Sequence, residues 1–333
     1  MPEGRRISLR KTSAMVEAGI MAAIAVVLAL VGMYMPVIGG FINFVWPLPI
    51  IICGMRNGLK YSIMTLVVAC VIVAIIISPL QAFFLGAIFG LLGLILGECM
   101  RRHLPPMRLM LFASLGAVLA LVINLVLSFA VLDIDPVAML FNQFDSSMTA
   151  MSEFYRSHGV SEEDTKAAVE KYGEMLKMMR VIMPAAFLVF APVLAFINYY
   201  AAKKILTRLG ESFEDLPPFV NWIIPTWVLF PFFLSLVGVT YFYINKLQDT
   251  WMYKACVNVQ TICTFVLVFQ AVILVYWYIQ RKNKPKWWAG VITTLVFIVP
   301  ILSQIMVYVG AFDMIVDFRK IRKDYLPTKK TKR

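Results

Sequence analysis

Seven side chains within the apolar runs of the sequence could hold a ligand by hydrogen bonding or by aromatic contact. They are Asn43, Trp46, Gln81, Asn124, Ser128, Asn198 and Tyr199. Amide groups and aromatic walls together suit an uncharged or mildly polar organic molecule. Taken one at a time, polar groups at this depth more often form hydrogen bonds between helices. Both roles are therefore open.

Side chains for acid–base or metal chemistry are scarce in the same runs. As we delimit the runs, their ionisable residues are Glu17 and Glu98, each near the predicted cytoplasmic end of its helix. Ion-coupled transporters usually carry an ionisable group deeper in the membrane, which argues against ion coupling here. The two histidines, His103 and His158, fall in loops predicted on opposite sides of the membrane. They indicate neither a metal site nor a catalytic pair.

The cysteines and the lack of a nucleotide-binding motif give no sign of catalytic or metal chemistry either. The five cysteines lie within or at the ends of apolar runs, and none forms a CxxC pair. We expect them to be buried small hydrophobes rather than disulfide partners or metal ligands. The sequence has no GxxxxGKS/T motif, so the chain cannot hydrolyse ATP through a P-loop. We therefore expect no enzyme activity and no cofactor.

The composition is that of a polytopic membrane protein. The chain is 61% hydrophobic and 15% charged, with a mean hydropathy of +0.80, whereas soluble domains are only about half apolar. The net charge of +12 could indicate nucleic-acid binding, but the basic residues lie in short loops between apolar runs. Orientation by positive cytoplasmic loops and attraction to anionic lipid explain this charge better. We therefore expect a lipid bilayer, and no nucleic acid, as partner.

Nine apolar segments predict an all-α, polytopic helical bundle. They cover residues 14–35, 37–53, 61–78, 80–99, 109–132, 181–202, 221–244, 255–280 and 288–311. Most approach the length of about 20 residues that a helix needs to cross the hydrocarbon core of a bilayer. The first run is too long for a signal peptide, and we interpret it as a retained span.

The stretch 11–61 organises the N-terminal part of the chain. Basic residues at both of its ends put these ends on the cytoplasmic side, and Pro36, Gly39 and Gly40 break it on the outer side. Irregular backbone at membrane depth is tolerated where it faces protein or a cavity. The first two spans therefore predict a site built into the bundle.

The fourth segment carries a stripe of small residues along one helical face. Its members are Ala82, Gly86, Gly90, Gly93 and Gly97. Such a stripe lets a neighbouring helix approach closely. We interpret it as tight packing within the bundle, and the alternative is a contact with lipid or with a second chain.

The first segment carries a comparable face of alanines. Its members are Ala14, Ala18, Ala22, Ala25 and Ala29. This face could pack against other helices of the bundle. It could also dock a partner protein, because the first span lies at the edge of the predicted bundle.

Residues 133–180 predict a helical hairpin outside the membrane. The segment holds nine acidic residues against five basic ones, which fits the outer side. Asp135 with Pro136, and Ser161 with Asp164, match the signals that begin helices. Apolar stripes rich in methionine follow both helices, at Val137, Leu140, Phe141, Phe144, Met148, Met151 and Tyr155 and at Tyr172, Met175, Leu176 and Met179. The hairpin could be a plain cover over helix ends or a mobile lid over a ligand cavity.

We place a domain boundary after Gly210, where an acidic stretch and two prolines follow the sixth segment. The predicted domains are residues 1–210, with six spans and the hairpin, and residues 211–333, with further membrane segments and a basic tail. The eight basic residues between 319 and 333 favour a cytoplasmic tail. One apolar stretch then fails to cross fully, and Pro300 makes the ninth segment the candidate for a bent or re-entrant one.

Four features occur together in the first six segments. They are the six spans, the AxxxA spacing of the first helix, a PxxGG…PLP break at residues 36–49 and a CGMRNGLK turn at residues 53–60. Together they resemble the substrate-binding subunit of energy-coupling factor vitamin transporters. The resemblance implies that Ala18, Ala22, Ala25 and Ala29 dock on a transmembrane coupling protein driven by separate ATPases. The long hairpin and the C-terminal extension depart from that pattern.

The ending GAFDMIVDFRK at residues 310–320 extends the comparison to the whole chain. Together with the order of segments, it is similar to the uncharacterised bacterial YybS family. This resemblance implies a multi-pass protein of the bacterial cytoplasmic membrane, and it implies no particular activity.

Two functions from different classes follow from these features. The first is a substrate-binding membrane subunit for uptake of a small organic nutrient, energised by separate partner ATPases. The second is a non-transporting scaffold or regulator that binds cell-envelope proteins through the small-residue faces and the hairpin. Copurification from native membranes would separate them, because each function names a different set of partners.

A cytoplasmic tail predicts how a cysteine placed near the C-terminus reacts. In a variant without the five native cysteines, Lys329→Cys should react with a membrane-impermeant maleimide only after the cells are opened. Ser157→Cys in the predicted outer hairpin serves as the control and should react in intact cells. Labelling of Lys329→Cys in intact cells would put the tail outside.

Overall fold

The computed structural model describes residues 3–35, 38–130, 133, 135–285 and 287–320, and the regular structure within these ranges is helical, without strands. Among the described residues, eight helical stretches are long and apolar enough to cross a membrane. One further pair of helices passes the same test but is bent by 111°. These stretches match the nine predicted segments, and the predicted all-α, polytopic helical bundle is confirmed.

The helices before the hairpin are α1 (Glu3–Tyr34), α2 (Ile38–Val45), α3 (Leu48–Asn57), α4 (Leu59–Ile76), α5 (Pro79–Phe84), α6 (Leu91–Arg101) and α7 (Pro106–Ala130). A π-helical stretch, Leu85–Gly90, joins α5 to α6. The hairpin begins with α8 (Pro136–Ser157) and continues with α9 (Glu162–Arg208). The C-terminal helices are α10 (Leu229–Ile244), α11 (Trp251–Arg281), α12 (Trp287–Ile298) and α13 (Pro300–Val316).

The chain forms two compact units. The N-terminal unit comprises Met1–Val169 and Phe190–Asp215, and the C-terminal unit comprises Glu170–Val189 and Leu216–Arg333. The helix α9 contributes residues to both units. The boundary after residue 210 and the two predicted domains therefore stay a prediction.

The alanine face of α1 lies inside the N-terminal unit. Its residues Ala18, Ala22, Ala25 and Ala29 are at most 2% exposed, and α1 packs against α3 and α4. Because these side chains are small, the α1 carbonyls are within reach of neighbouring side chains. Thr65 Oγ1 lies 3.2 Å from the Ala18 carbonyl oxygen, to which it donates. The expectation that this face is open to a partner is therefore corrected, since helices of the same unit cover it.

The small-residue stripe of the fourth span is also covered within the N-terminal unit. Cβ atoms added at Gly86 and Gly90 would meet side chains of α4, and Cβ atoms added at Gly93 and Gly97 would come within 3.0 and 3.1 Å of α3. Close approach of three helices thus depends on the absence of side chains along this face.

The CGMRNGLK turn joins α3 to α4 at a single residue. Gly58 ends α3 and begins α4 with φ +93°, a conformation that favours glycine. One turn earlier, Arg56 pairs with Glu17 of α1 at 2.9 Å. Three helices therefore meet at this end of the unit.

Both predicted helix starts of the hairpin are present. Asp135 accepts hydrogen bonds from two backbone N–H groups of α8, at 2.9 Å each, and Ser161 Oγ accepts from the Asp164 N–H at 3.1 Å. The second hairpin helix and the sixth span, which the sequence analysis treated apart, are one helix of 47 residues. At a rise of 1.5 Å per residue, α9 is about 70 Å long, well beyond the thickness of a bilayer.

In the C-terminal unit, α11 packs closely against α13. The bend between α12 and α13 falls before Pro300, which cannot donate the backbone hydrogen bond that would continue the helix. The predicted irregularity of the ninth segment thus has a visible cause. The predicted outer break at Pro36 and the basic tail after Lys320 lie outside the described residues.

The contact between α11 and α13 predicts the effect of Gly310→Ala. A Cβ atom at Gly310 would overlap the Leu267 carbonyl oxygen, whereas nothing lies within 4 Å of a Cβ added at Gly290 of α12. We expect Gly310→Ala to cost about 1–3 kcal/mol of unfolding free energy. Gly290→Ala, the matched control, should be neutral or stabilising. Unfolding of the purified protein in detergent measures both, and equal stabilities of the two variants would contradict the close contact.

Candidate functional site

Asn124 and Ser128 lie one turn apart on the buried face of α7. Their side chains are 3% and 0% exposed. Within the described residues, neither Asn124 Nδ2 nor Ser128 Oγ has a hydrogen-bond partner. Leaving such a group buried and unpaired costs about 1–3 kcal/mol. The pair is therefore suited to bind a polar group that these helices do not supply.

The surroundings of this pair are irregular. The helix α7 contacts α6 and the π-helical stretch Leu85–Gly90. A π-helical turn widens the helix locally and is found frequently at functional sites. The unpaired polar groups of α7 thus belong to a helix that packs beside a distorted part of the fourth span.

Trp46 and Asn198 are fully buried, and their hydrogen bonds are internal to the N-terminal unit. The Trp46 indole N–H donates to the Ala25 carbonyl at 2.9 Å. Asn198 Nδ2 donates to the carbonyls of Phe44, at 2.9 Å, and Leu194, at 3.0 Å. These contacts hold α1, α2 and α9 to one another. Trp46 therefore has a structural role, and so has the Asn198 Nδ2, whereas the Asn198 Oδ1 has no partner within the described residues.

The other predicted ligand residues are placed apart from the α7 pair. Asn43 and Gln81 are half-buried, and the Asn43 side chain lies against Gly32. Tyr199 lines a cavity of about 400 Å³ that none of the other six predicted residues lines. A ligand-binding role for these seven residues stays a prediction.

The cavity that contains Tyr199 lies at the turn between α6 and α7, and we refer to it as the α6–α7 cavity. Its lining is Met100, His103, Leu104, Pro106, Leu109, Tyr199, Ser212, Phe213 and Glu214. The segment 212–214 is held in place by Lys203, whose Nζ donates to the Glu214 carbonyl at 2.6 Å and to Asp215 Oδ1 at 2.8 Å. That hydrogen bond lowers the pKa of the Asp215 carboxyl from its ordinary value.

A second polar cluster lies inside the C-terminal unit. Gln270 Nε2 donates to Asp313 Oδ2 at 2.6 Å, and Arg319 Nε lies 3.5 Å from the same oxygen. Both charged side chains are 1% exposed. A buried carboxylate and a buried guanidinium are tolerated together because each compensates the charge of the other.

Arg319 also fixes the segment that precedes α10. Its Nη1 donates to the carbonyls of Val220, at 2.7 Å, and Trp222, at 3.1 Å. In the same segment, the ring of Phe219 packs edge-on against Phe269 of α11, with centroids 5.4 Å apart. The cluster therefore joins α11, α13 and residues 219–222 within one unit.

The sequence analysis missed this cluster because it ended the ninth segment at residue 311. The helix α13 continues to Val316, so Asp313 lies within it. The statement that Glu17 and Glu98 are the ionisable residues of the apolar runs is wrong for this helix. The signal was present in the GAFDMIVDFRK ending, which contains both members of the ion pair.

Asn258 of α11 is another side chain with a clear structural role that the sequence analysis did not single out. Pro184 interrupts the hydrogen bonding of α9, because proline has no N–H. At that turn, Asn258 Oδ1 accepts from the Ala185 N–H at 2.8 Å, and its Nδ2 donates to the Val181 carbonyl at 2.7 Å. The amide thus satisfies both groups beside the proline. An asparagine within one apolar run and a proline within another were the available signals.

Comparison with known proteins gives a family match over most of the chain. The family described as "Predicted membrane protein (DUF2232)" matches residues 23–314. The "Uncharacterized protein YybS" of Bacillus subtilis (strain 168) is 24% identical over 306 residues, which cover 92% of this chain and 97% of that protein. No solved structure matches the chain. The family match includes the α7 pair and Asp313.

The buried ion pair predicts unequal effects of single and double substitutions. Asp313→Asn removes the carboxylate from a buried ion pair with Arg319, which should cost about 3–5 kcal/mol of unfolding free energy. Replacing both partners, Asp313→Leu with Arg319→Met, should restore most of that loss, because no uncompensated charge remains.

Arg102→Gln is the matched control, since Arg102 belongs to an ion pair with Glu98 but is 69% exposed. It should have little effect on stability. Unfolding of each variant in detergent measures the comparison. A double variant less stable than Asp313→Asn would show that the pair itself, rather than charge compensation, holds the unit together.

Proposed function

Since the chain belongs to the DUF2232 family of predicted membrane proteins, as the resemblance to YybS indicated, we propose that it binds a small organic nutrient within the membrane for uptake. In this proposal it is a substrate-binding subunit, and separate partner ATPases supply the energy through a transmembrane coupling protein. It is multi-pass and lies in the bacterial cytoplasmic membrane.

The observation that carries this proposal is the unpaired polar pair on α7. Asn124 and Ser128 are buried and one turn apart, and the Asn124 Nδ2 and the Ser128 hydroxyl lack partners among the described residues. Within the same unit, Trp46 is satisfied by a neighbouring carbonyl. The difference supports binding by α7 of an uncharged or mildly polar molecule.

The charges of the N-terminal unit support an external energy source. Glu17 pairs with Arg56, and Glu98 pairs with Arg101 and Arg102. Each of these ion pairs includes an arginine at the end of α3 or α6, and Glu17 lies in the cytoplasmic third of its apolar stretch Lys11–Tyr34. The described spans of this unit therefore carry no ionisable side chain at mid-depth that could couple uptake to an ion gradient. The coupling protein would contact a face other than the alanines of α1, which α3 and α4 cover.

The arrangement of buried groups favours binding over catalysis. Asn124 and Ser128 are neutral, and within the described residues no histidine or carboxylate is hydrogen-bonded to the Asn124 Nδ2 or the Ser128 hydroxyl. We propose that the protein releases its ligand unchanged and is not an enzyme. In this scheme the predicted hairpin of α8 and the first part of α9 lies outside the membrane, either as a cover over helix ends or as a lid over the bound ligand.

A scaffold or regulator that binds cell-envelope proteins is the second candidate. It is favoured by apolar side chains that the hairpin helices expose, namely Met139, Phe154, Met175 and Met178. Methionine surfaces adapt to partners of different shape. Copurification from native membranes decides between the two: an ATPase pair with its coupling protein supports uptake, and envelope or division proteins alone support the scaffold.

The proposal predicts a bound small molecule that depends on α7. Mass spectrometry of extracts from the gently purified protein should find one, and Asn124→Leu with Ser128→Ala should reduce its occupancy about tenfold, the loss expected from one or two hydrogen bonds. Ser114→Ala on the same helix is the matched control and should retain the molecule. Equal occupancy in all three proteins would contradict the role of the pair.

A further inference from the structure

The α6–α7 cavity is a partly open space in the N-terminal unit, and neither Asn124 nor Ser128 lines it. Its volume of about 400 Å³ falls in the range of sites for small organic molecules. Four apolar side chains line part of it: Met100, Leu104, Pro106 and Leu109. A ligand of this cavity therefore has an apolar body.

Three aromatic rings line the same cavity: His103, Tyr199 and Phe213. Tyr199 is 1% exposed, and the His103 ring stacks on Phe213 with centroids 5.9 Å apart. The faces of phenol and phenyl rings, such as those of Tyr199 and Phe213, attract cations, and several such rings together form the cages that recognise methylated ammonium groups. The rings thus favour a cationic ligand over an anionic one.

The charge of the lining has the sign that such a ligand needs. Glu214 is the carboxylate that lines the cavity, and no lysine or arginine belongs to its lining. The nearest fixed cation of the wall, Lys203, is bound to Asp215 and to the Glu214 carbonyl. On the α6–α7 turn, Arg101 and Arg102 pair with Glu98. The charge of Glu214 is therefore left to act on a ligand.

We propose that the α6–α7 cavity binds a small organic ammonium ion, with its charge near Tyr199, Phe213 and Glu214 and its apolar body against the Met100 side of the lining. The site goes beyond the proposed uptake function, since it uses different residues and a different ligand charge. A carboxylate or phosphate would meet Glu214 and no compensating cation, so anions are excluded.

The test uses the full-length protein in detergent and phenyltrimethylammonium chloride as the probe, titrated by calorimetry at constant ionic strength. We expect saturable binding of this probe and none of sodium benzoate, which has a similar body and the opposite charge. Glu214→Gln and Phe213→Leu should each weaken binding about tenfold or more, which corresponds to about 1.4 kcal/mol.

Glu211→Gln is the matched control, because Glu211 lies in the same segment but does not line the cavity. It should bind the probe as the unchanged protein does. Melting temperatures of all variants confirm that each is folded. Three results would overturn the proposal: absence of saturable binding, equal binding of benzoate, or equal losses in Glu211→Gln and Glu214→Gln.

Discussion

One constraint shapes the whole structure: the hydrocarbon core of a membrane offers no hydrogen-bond partners. The backbone polar groups of a membrane helix must therefore be satisfied by the protein itself. The N-terminal unit meets this constraint by close packing. Alanines of α1 and glycines of the fourth span let backbones approach, so that Thr65 and Trp46 reach carbonyl oxygens of α1. In the C-terminal unit, the Asn258 amide binds the Ala185 N–H and the Val181 carbonyl beside Pro184.

The same constraint separates structural from functional polar groups. Trp46 donates to a carbonyl, so its presence is explained by helix packing. Asn198 donates to two carbonyls, while its Oδ1 lacks a partner within the described chain. Asn124 Nδ2 and Ser128 Oγ are equally buried and lack partners within the described chain, so packing does not explain them. Because an unpaired buried group lowers stability, a binding role explains Asn124 and Ser128 better than packing does. This difference is the basis for proposing that α7 contacts a ligand.

Much of the fold could be predicted from the sequence, because span length, proline and capping residues act locally. The starts of α8 and α9 at Asp135 and Ser161, and the bend before Pro300, follow from such local rules. The environment of a helix face could not be predicted in this way. The same pattern of alanines is expected for a face that docks a partner and for a face that packs against α3 and α4. Only the tertiary arrangement distinguishes the two. For the same reason, hydropathy ended the ninth segment before Asp313, whose burial depends on Arg319 and Gln270.

Asp313 raises the question of whether this chain could itself use an ion gradient. A carboxylate that couples transport must exchange its proton or ion during the cycle, and it therefore needs access and a charge that is not permanently compensated. Asp313 is 1% exposed and holds Gln270 and Arg319 on one oxygen, while Arg319 also binds two backbone carbonyls. Releasing the carboxylate would break the buried ion pair that joins α13 to Arg319, the residue that holds Val220 and Trp222. The cluster is thus built to hold helices in one arrangement, and the proposed uptake would draw its energy from outside the chain.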